Sequence, residues 1–214
     1  MMLPSCRSHF LGRRIITGHR WHYAPLSTGT AAGHSSTTPR PRRMHAYHLT
    51  GTGGPEGPQV TAYTTGRHAL RTDLPRVMGG TDTAPQPVEL VLGALMGCTQ
   101  ATVLFVARHM ELPQQKQQRL QIHHCAFDLW AERDPRGALA LPLDPTIPSR
   151  LQRVGGTLTL HLAASNEQLL PPDVLCVLKE QTEQRCPVAN MMIASGCHME
   201  IEWRQVVMED ENDG

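Results

Sequence analysis

The first 55 residues contain no Asp, Glu or Lys, although they carry seven Arg. They also lack a continuous apolar stretch, since the longest apolar run is Met1 to Leu3, and this excludes a secretory signal peptide. An Arg-rich and Ser-rich segment without acidic residues is typical of a mitochondrial transit peptide. We therefore predict that residues 1–45 are a basic, disordered leader and linker, and that the protein is mitochondrial. The alternative is a basic tail on a cytoplasmic protein.

The rest of the chain is mildly acidic. From Glu56 onward there are 13 basic and 19 acidic residues, a net charge of −6, although the whole chain sums to +1. This balance argues against a polycationic nucleic-acid binder, and the 40% of hydrophobic residues argues against a wholly disordered chain. We predict one domain over residues 46–208 and an acidic tail over 209–214, with no nucleic-acid partner.

No C-x-x-C motif occurs among the six cysteines, and their spacing fits no standard zinc pattern. Two short clusters, His123-His124-Cys125 and Cys197-His198, place metal-ligating side chains next to each other. Adjacent residues of a strand point to opposite faces, so neither cluster is expected to chelate a metal by itself. We therefore expect no metal and no cofactor.

The order of hydrophobic patterns predicts an α+β fold. Alternation of apolar and polar residues indicates strands, and long apolar or amphipathic runs after prolines indicate helices. Strands are predicted at 46–49, 60–65, 68–72, 120–130, 156–164 and 198–206, and helices at 88–107 and 171–186. A proline-bearing excursion over 132–153 has no predicted element.

The helix at 88–107 is the most unusual segment. Its residues 90–107 carry no formal charge, and eighteen such residues are the lower limit for a membrane span. Cys98, Thr99, Gln100 and Thr102 lie in the middle of the run, where polar groups are costly in lipid. We therefore predict a helix buried in a protein core and no membrane span.

Cys98 is the candidate reactive group of this helix. A buried thiol is unreactive by default because burial disfavours the thiolate, so reactivity needs a nearby cation. Arg67, Arg71 and Arg76 precede the helix. Glu89 could orient such an arginine, but it lies about 13 Å from Cys98 along a helix. The residues alone leave a structural cysteine and a reactive one both open.

Two motifs resemble the OsmC/Ohr superfamily of thiol peroxidases. The first is the run TDLPRVMGGTDTAPQPVELVLGALMGCTQAT at 72–102, with a Gly-Gly element, a Pro-rich turn and a cysteine within a long helix. The second is CPVANMM at 186–192. The resemblance covers residues 47–206. It implies an intertwined homodimer in which curved antiparallel sheets wrap two central helices, with the active site at the subunit boundary.

The resemblance also implies a mechanism. Cys98 would be the thiolate that attacks an organic hydroperoxide, and Cys186 would be the thiol that resolves the resulting sulfenic acid as a disulfide. A dithiol, such as that of a lipoylated protein, would then reduce the disulfide. Arg76 would hold the thiolate and the peroxide, with Arg67 as its rival, and Glu89 would hold the arginine.

Two features depart from the family pattern. The acidic residue is Glu89, one position later than in the best-characterised peroxidases, and one residue rotates a side chain by about 100° around a helix. Cys197 follows Cys186 by eleven residues and is a rival resolving thiol, although we interpret it, like Cys125 and Cys176, as structural. The alternative function is a catalytically silent OsmC-like module that senses oxidation or binds an apolar ligand. A thiol hydrolase is a weaker third idea.

Overall fold

The computed structural model describes residues 45–55, 57–110, 120–162 and 169–207. The acidic tail and all of the predicted leader except its last residue lie outside these ranges. The chain divides into two compact units, with a boundary between residues 91 and 92. The described elements are three strands in the first unit and three strands with short helices in the second, joined by one long helix.

The first unit contains an antiparallel meander. Its strands are β1 (Leu49–Gly53), β2 (Val60–Thr64) and β3 (Ala69–Thr72), in the order β1-β2-β3. The tight turn between β2 and β3 holds Arg67 at a positive φ of 61°, and the Arg67 N–H donates to the Thr64 carbonyl at 2.9 Å. Strands β2 and β3 confirm the predictions for 60–65 and 68–72.

The first predicted strand was misplaced. Residues 46–49 were expected to be extended, whereas β1 begins at Leu49 and runs through two glycines to Gly53. Pairing with β2 explains the shift, because Leu49 lies opposite Thr64 and Gly53 lies opposite Val60. Glycine is poor in strands by propensity, so the sequence pattern gave no sign that the pairing continues past Gly51.

The second unit is built on a mixed sheet. Its strands are β4 (Ile122–Glu132), β5 (Arg153–Leu162) and β6 (His198–Val207), with β5 in the centre. Strands β4 and β5 are antiparallel, but β5 and β6 are parallel, so the expectation of purely antiparallel sheets was wrong. A connection through helices allows the chain to return in the same direction, which parallel pairing requires.

One face of this sheet packs into the core of the second unit. Val154, Leu158, Leu160 and Leu162 of β5 are fully buried, and Trp203 of β6 is 2% exposed. Their spacing of two along each strand places them on one face of the sheet. The predicted alternation of β5 and β6 is therefore confirmed.

The helices include two that the sequence did not predict. The long helix α1 (Pro87–His109) and the later α3 (Pro172–Arg185) match the predicted helices. A single turn, α2 (Arg136–Leu139), lies inside the proline-bearing excursion, and α4 (Pro187–Ala194) follows α3 after one residue. Proline favours the first turn of a helix, so Pro187 was a signal for a new helix at this point.

Helix α1 is long and apolar enough to cross a membrane by length and composition. The core helix of a soluble protein passes the same test. Leu95, Val103, Val106 and Ala107 of α1 are buried, whereas Phe105 is 53% exposed. One chain therefore covers only part of this helix.

A β-bulge changes the expected direction of two histidines. The pairing of β4 with β5 shifts between Ile122 and His124, so that His123 is an extra residue. In a bulge, two neighbouring residues oppose one residue of the partner strand. His123 and His124 are both exposed, whereas Ile122 and Cys125 on either side pack against the core. The expectation that these two histidines point to opposite faces was therefore wrong.

Candidate active site

Cys98 lies near the middle of α1 and is half-buried. The Thr102 hydroxyl donates to the Cys98 carbonyl at 2.7 Å, which satisfies this polar side chain within the helix. The Cys98 thiol itself is free. Cys98 is thus a free cysteine on a helix position that is only partly buried.

Cys186 is the single residue between α3 and α4, and its side chain is fully buried. Its thiol accepts a hydrogen bond from the Ala189 N–H at 3.4 Å, in the manner of an N-cap residue. The Asn190 amide donates to the carbonyls of Glu183, Gln184 and Cys186 at 2.9 to 3.0 Å. These bonds fix the backbone that carries the Cys186 thiol.

The thiols of Cys98 and Cys186 are neighbours in the second unit. Burial raises the pKa of Cys186, and the Cys98 side chain raises it further through hydrogen bonding and charge. The Ala189 N–H and the Thr99 hydroxyl oppose this increase because they stabilise the thiolate. The two cysteines singled out by the sequence motifs are therefore brought together, although they are 88 positions apart.

Thr99 is a site residue that sequence reasoning missed. It follows Cys98 directly, and its hydroxyl lowers the pKa of the Cys186 thiol through a hydrogen bond. Polar residues in the middle of an apolar helix usually have a specific partner. The position of Thr99 in the apolar helix was therefore a signal in the sequence that could have identified it.

The other described cysteines lie in different surroundings. Cys125 packs against the core, and burial raises its pKa to about 11. Cys197 is 6% exposed, and burial raises its pKa while the charge of Arg150 lowers it. Cys176 is disulfide-bonded and carries no free thiol. Neither the Cys125 thiol nor the Cys197 thiol contributes to the pKa shift of Cys186.

Helix α3 is anchored by a buried lysine. Lys179 is 3% exposed, and its ammonium donates to the Ile201 carbonyl of β6 at 2.8 Å. It also pairs with Glu183 at 3.6 Å. Burial lowers the pKa of Lys179, and the attraction of Glu183 partly offsets that change. Because Cys186 ends α3, this anchor also helps to fix the position of its thiol.

The loop before α1 is organised by Asp73, a second site residue that the sequence analysis did not single out. Its side chain is fully buried and accepts hydrogen bonds from the Leu74 N–H, from the N–H groups of Thr81 and Thr83, and from both of their hydroxyls, at 2.7 to 3.1 Å. These bonds close the segment that contains Arg76 and the Gly-Gly element. The signal in the sequence was an acidic residue, Asp73, with two threonines, Thr81 and Thr83, later in the same loop.

The Gly-Gly element is required by the same loop. Gly79 has a φ of 85° and ends the 3₁₀ turn Arg76–Met78. A Cβ on Gly80 would lie 1.8 Å from the Leu74 carbonyl oxygen and 2.8 Å from the Asp73 carboxylate. The motif therefore has a structural reason that does not depend on catalysis.

The charged residues predicted around Cys98 do not form the expected pair. Arg76 is exposed in the 3₁₀ turn, and no ion pair involves it among the described residues. Glu89 is exposed in the first turn of α1, where its carboxylate accepts a hydrogen bond from the Gln86 N–H at 2.7 Å. Glu89 thus caps α1, and it does not hold Arg76. Arg67 is exposed in its turn.

The network around Asp73 gives a pH-dependent prediction. Hydrogen bonds, that of the Thr81 hydroxyl above all, hold the pKa of Asp73 well below its usual range, although burial opposes them. The network therefore stabilises the fold fully above the unfolded pKa of about 3.9, and this stabilisation is lost as pH falls towards the folded value. We expect Asp73→Asn to lower the urea midpoint at pH 7, with a smaller difference from wild type below about pH 4.

Urea unfolding of both proteins between pH 3 and pH 7 measures this effect. The matched control is Asp128→Asn, which changes an exposed carboxylate of β4. A difference between wild type and Asp73→Asn that stays constant, or grows, on acidification would contradict the proposed network.

Comparisons with known proteins identify the family. The family model described as OsmC-like protein matches residues 80–202, more than half of the chain. No curated protein sequence matches.

Solved structures resemble the fold over about three quarters of this chain at low sequence identity. An OsmC-like protein from Mycoplasma pneumoniae has a TM-score of 0.53 at 14% identity, over 77% of this chain and 99% of its own. An OsmC-like protein of unknown function from Vibrio cholerae has a TM-score of 0.56 at 11% identity, over 77% and 100%. A Legionella pneumophila protein described as an organic hydroperoxide resistance protein has a TM-score of 0.47 at 15% identity, over 78% and 100%.

The likenesses to the Mycoplasma pneumoniae protein and to the Vibrio cholerae protein agree with the α+β architecture. The family match includes Cys98, Cys186 and the helices that carry them. The chain therefore belongs to the OsmC-like protein family.

Proposed function

We propose that this protein is a thiol-dependent peroxidase that reduces organic hydroperoxides to alcohols. The observation that carries the proposal is the neighbourhood of Cys98 and Cys186, where the side chain of one thiol shifts the pKa of the other. Cys98 is partly accessible, whereas Cys186 is fully buried. That asymmetry fits an attacking thiol that meets substrate and a resolving thiol that meets only its neighbour.

The reaction begins at Cys98. Its thiolate attacks the outer oxygen of the hydroperoxide, the O–O bond breaks, and the remaining alkoxide takes up a proton and leaves as the alcohol. Cys98 is then a sulfenic acid. The Cys186 thiolate attacks the sulfur of that sulfenic acid, the S–O bond breaks, and hydroxide leaves as water after protonation. The product is a Cys98-Cys186 disulfide, which two thiol–disulfide exchanges with an external dithiol return to two thiols.

Two groups assist the second step. The Ala189 N–H and the Thr99 hydroxyl both act to lower the pKa of Cys186 against the effect of burial. They therefore stabilise the thiolate that Cys186 must form when it attacks the sulfenic acid. Thr99 is a positioning residue in this scheme, since it acts through Cys186 and does not touch the peroxide.

An arginine is proposed to hold the Cys98 thiolate and the peroxide oxygen. Arg76 is our choice, because the Asp73 loop and the Gly-Gly element fix the backbone on both sides of it. Arg67, held in the turn after β2, is the rival. A comparison of Arg76→Gln with Arg67→Gln in a peroxidase assay distinguishes them, since only the arginine that serves Cys98 should lower kcat/KM.

The wider assignments belong to the same proposal. We propose a dithiol reductant of the lipoylated-protein type, a mitochondrial location directed by residues 1–45, and a homodimer that covers the exposed apolar side chains of α1 and α4. Phe105, Met191 and Ile193 are 53%, 65% and 39% exposed in one chain. Light scattering should give twice 23.7 kDa.

A fluorescent protein fused to residues 1–45 should enter mitochondria, and a diffuse cytosolic signal would exclude that location.

Mapping of the disulfide tests the function directly. After one equivalent of cumene hydroperoxide is added to the reduced protein, we expect mass spectrometry to find a new Cys98-Cys186 disulfide and one equivalent of alcohol. With excess hydroperoxide, dihydrolipoamide should support continuous turnover. A disulfide between Cys98 and Cys197 would overturn the assignment of the resolving thiol.

The alternative is a catalytically silent OsmC-like module that senses oxidation. The observation in its favour is that Glu89 caps its own helix and forms no ion pair with an arginine of the described ranges. Such a module would form the disulfide once but would not turn over with any dithiol. The same assay therefore separates the two functions.

A further inference from the structure

The bulge at the start of β4 creates a pair of nitrogen ligands that the peroxidase proposal does not use. His123 and His124 are neighbours in sequence, and their Nδ1 atoms lie 3.1 Å apart in a hydrogen bond, with one ring as donor and the other as acceptor. Both side chains are exposed on the outer face of the β4-β5-β6 sheet. Without the bulge, alternation would have pointed one of them towards the core.

The distance between the two nitrogens fits one metal ion. Imidazole nitrogens bind zinc at about 2.0 to 2.1 Å, so two of them 3.1 Å apart enclose an angle of about 95 to 102° at the ion. This angle lies between that of adjacent ligands in octahedral or square-planar coordination and that of a tetrahedron. Copper(II), nickel(II) and zinc(II) all accept imidazole in these geometries.

A third histidine holds the pair in place. His161 lies opposite His124 across the β4-β5 pair, and their rings stack with centroids 3.9 Å apart and planes inclined by 16°. Stacked rings direct their nitrogen lone pairs along parallel planes, so His161 and His124 do not converge on one ion. The His161 Nδ1 is buried without a hydrogen-bond partner among the described residues. His161 therefore restricts the His124 ring and is not itself a ligand.

Neighbouring groups do not complete a closed structural site. Cys125 follows His124 but packs against the core on the other face of the strand. Among the described residues, no three His, Cys, Asp or Glu side chains gather in an arrangement that could hold a metal. The remaining coordination positions of an ion at this pair would therefore be open to water or small ligands.

We propose that His123 and His124 form a surface binding site for one borderline divalent transition-metal ion, bound through both Nδ1 atoms. The metal ion takes the place of the hydrogen bond between the two rings, and the proton that this bond holds on one Nδ1 moves to the Nε2 of the same ring. The site is independent of the proposed peroxidase chemistry, because neither histidine has a role in that reaction.

Isothermal titration of the full chain with Ni²⁺, in a buffer that does not chelate metals, tests the site. We expect His123→Gln and His124→Gln each to remove one equivalent of Ni²⁺ binding, or to weaken it at least tenfold. His198→Gln is the matched control, since His198 is an exposed histidine of the same sheet that pairs with Glu200 at 3.0 Å. It should leave that class of site unchanged.

A fourth variant tests the role of His161. His161→Phe keeps a ring for stacking but has no nitrogen, so it should retain Ni²⁺ binding. Loss of binding in this variant would overturn the two-nitrogen assignment. Equal isotherms for wild type and His124→Gln would overturn the site altogether. Peroxidase activity should be the same in all four variants, so a failure of the metal site is distinguishable from a failure of the proposed function.

Discussion

Replacement of Cys98 by Ser is expected to lower turnover of cumene hydroperoxide with dihydrolipoamide by on the order of 10³-fold or more, because a serine hydroxyl does not ionise to the nucleophile that the first step needs. The structure places no second accessible thiol among the groups that act on Cys186. No other described thiol is therefore available to replace Cys98. Steady-state rates at saturating dithiol measure the effect.

Cys125→Ser is the matched control for this variant. It replaces a free, half-buried thiol of the same unit that packs against the core and lies on β4 rather than α1. Its activity should equal that of wild type, after correction for the folded fraction by circular dichroism. Activity retained in Cys98→Ser, or lost equally in both variants, would contradict the proposed role of Cys98.

Cys186→Ser should separate the two steps of the reaction. The first step needs only Cys98, so one equivalent of alcohol should still be released per chain. The sulfenic acid then has no resolving thiol, and further peroxide should carry it to the sulfinic acid. Mass spectrometry should find an addition of two oxygens at Cys98. A normal steady-state rate in this variant would exclude Cys186 as the resolving thiol.

Replacement of Gly156 by Ala should lower the free energy of unfolding by about 3 kcal/mol or more, from strained backbone and overpacking together. Gly156 lies within the central strand β5 at a φ of 128°. A Cβ there would lie 2.0 Å from the Asp128 carbonyl oxygen of β4. The contact is with backbone, so a change of side-chain rotamer cannot relieve it. Chemical denaturation measures the free energy of unfolding.

Gly54→Ala provides the control for that measurement. An added Cβ at Gly54 meets no atom within 4 Å, and its stability should stay within about 0.5 kcal/mol of wild type. A loss of similar size in both variants would show that the Gly156 result reflects a general cost of replacing glycine. An unchanged stability in Gly156→Ala would mean that β4 and β5 do not approach as closely as the structure indicates.

Much of this fold could be predicted because its patterns are local. The alternation of leucines in β5, the uncharged run of α1 and the prolines before α3 each determine an element without help from distant residues. The resemblance of two motifs to a known family then predicted which cysteines belong together. Cys98 and Cys186 are 88 positions apart in the sequence, and periodicity alone does not predict that their thiols are neighbours.

The features that the sequence analysis missed depend on strand register or on the hydrogen-bond partner that a side chain takes. The shift of β1 is set by its register against β2. The bulge at His123 is set by its register against β5. Glu89 has the residue type and approximate position of the family glutamate, but its carboxylate caps α1. A side chain in the first turn of a helix can bond to the N–H groups there or to a partner outside the helix. The sequence alone does not predict which of these partners the Glu89 carboxylate takes.

The burial of Cys186 protects its thiol from side reactions. A thiol that solvent cannot reach, and whose pKa burial raises, reacts slowly with alkylating agents, heavy metals and free peroxide. On the proposed function, the electrophile that Cys186 meets is the sulfenic acid formed at Cys98. On the proposed function, the α3-α4 junction therefore protects the Cys186 thiol from side reactions. The Asn190 amide holds the backbone of this junction in place. Oxidative damage should accumulate at Cys98 long before it reaches Cys186.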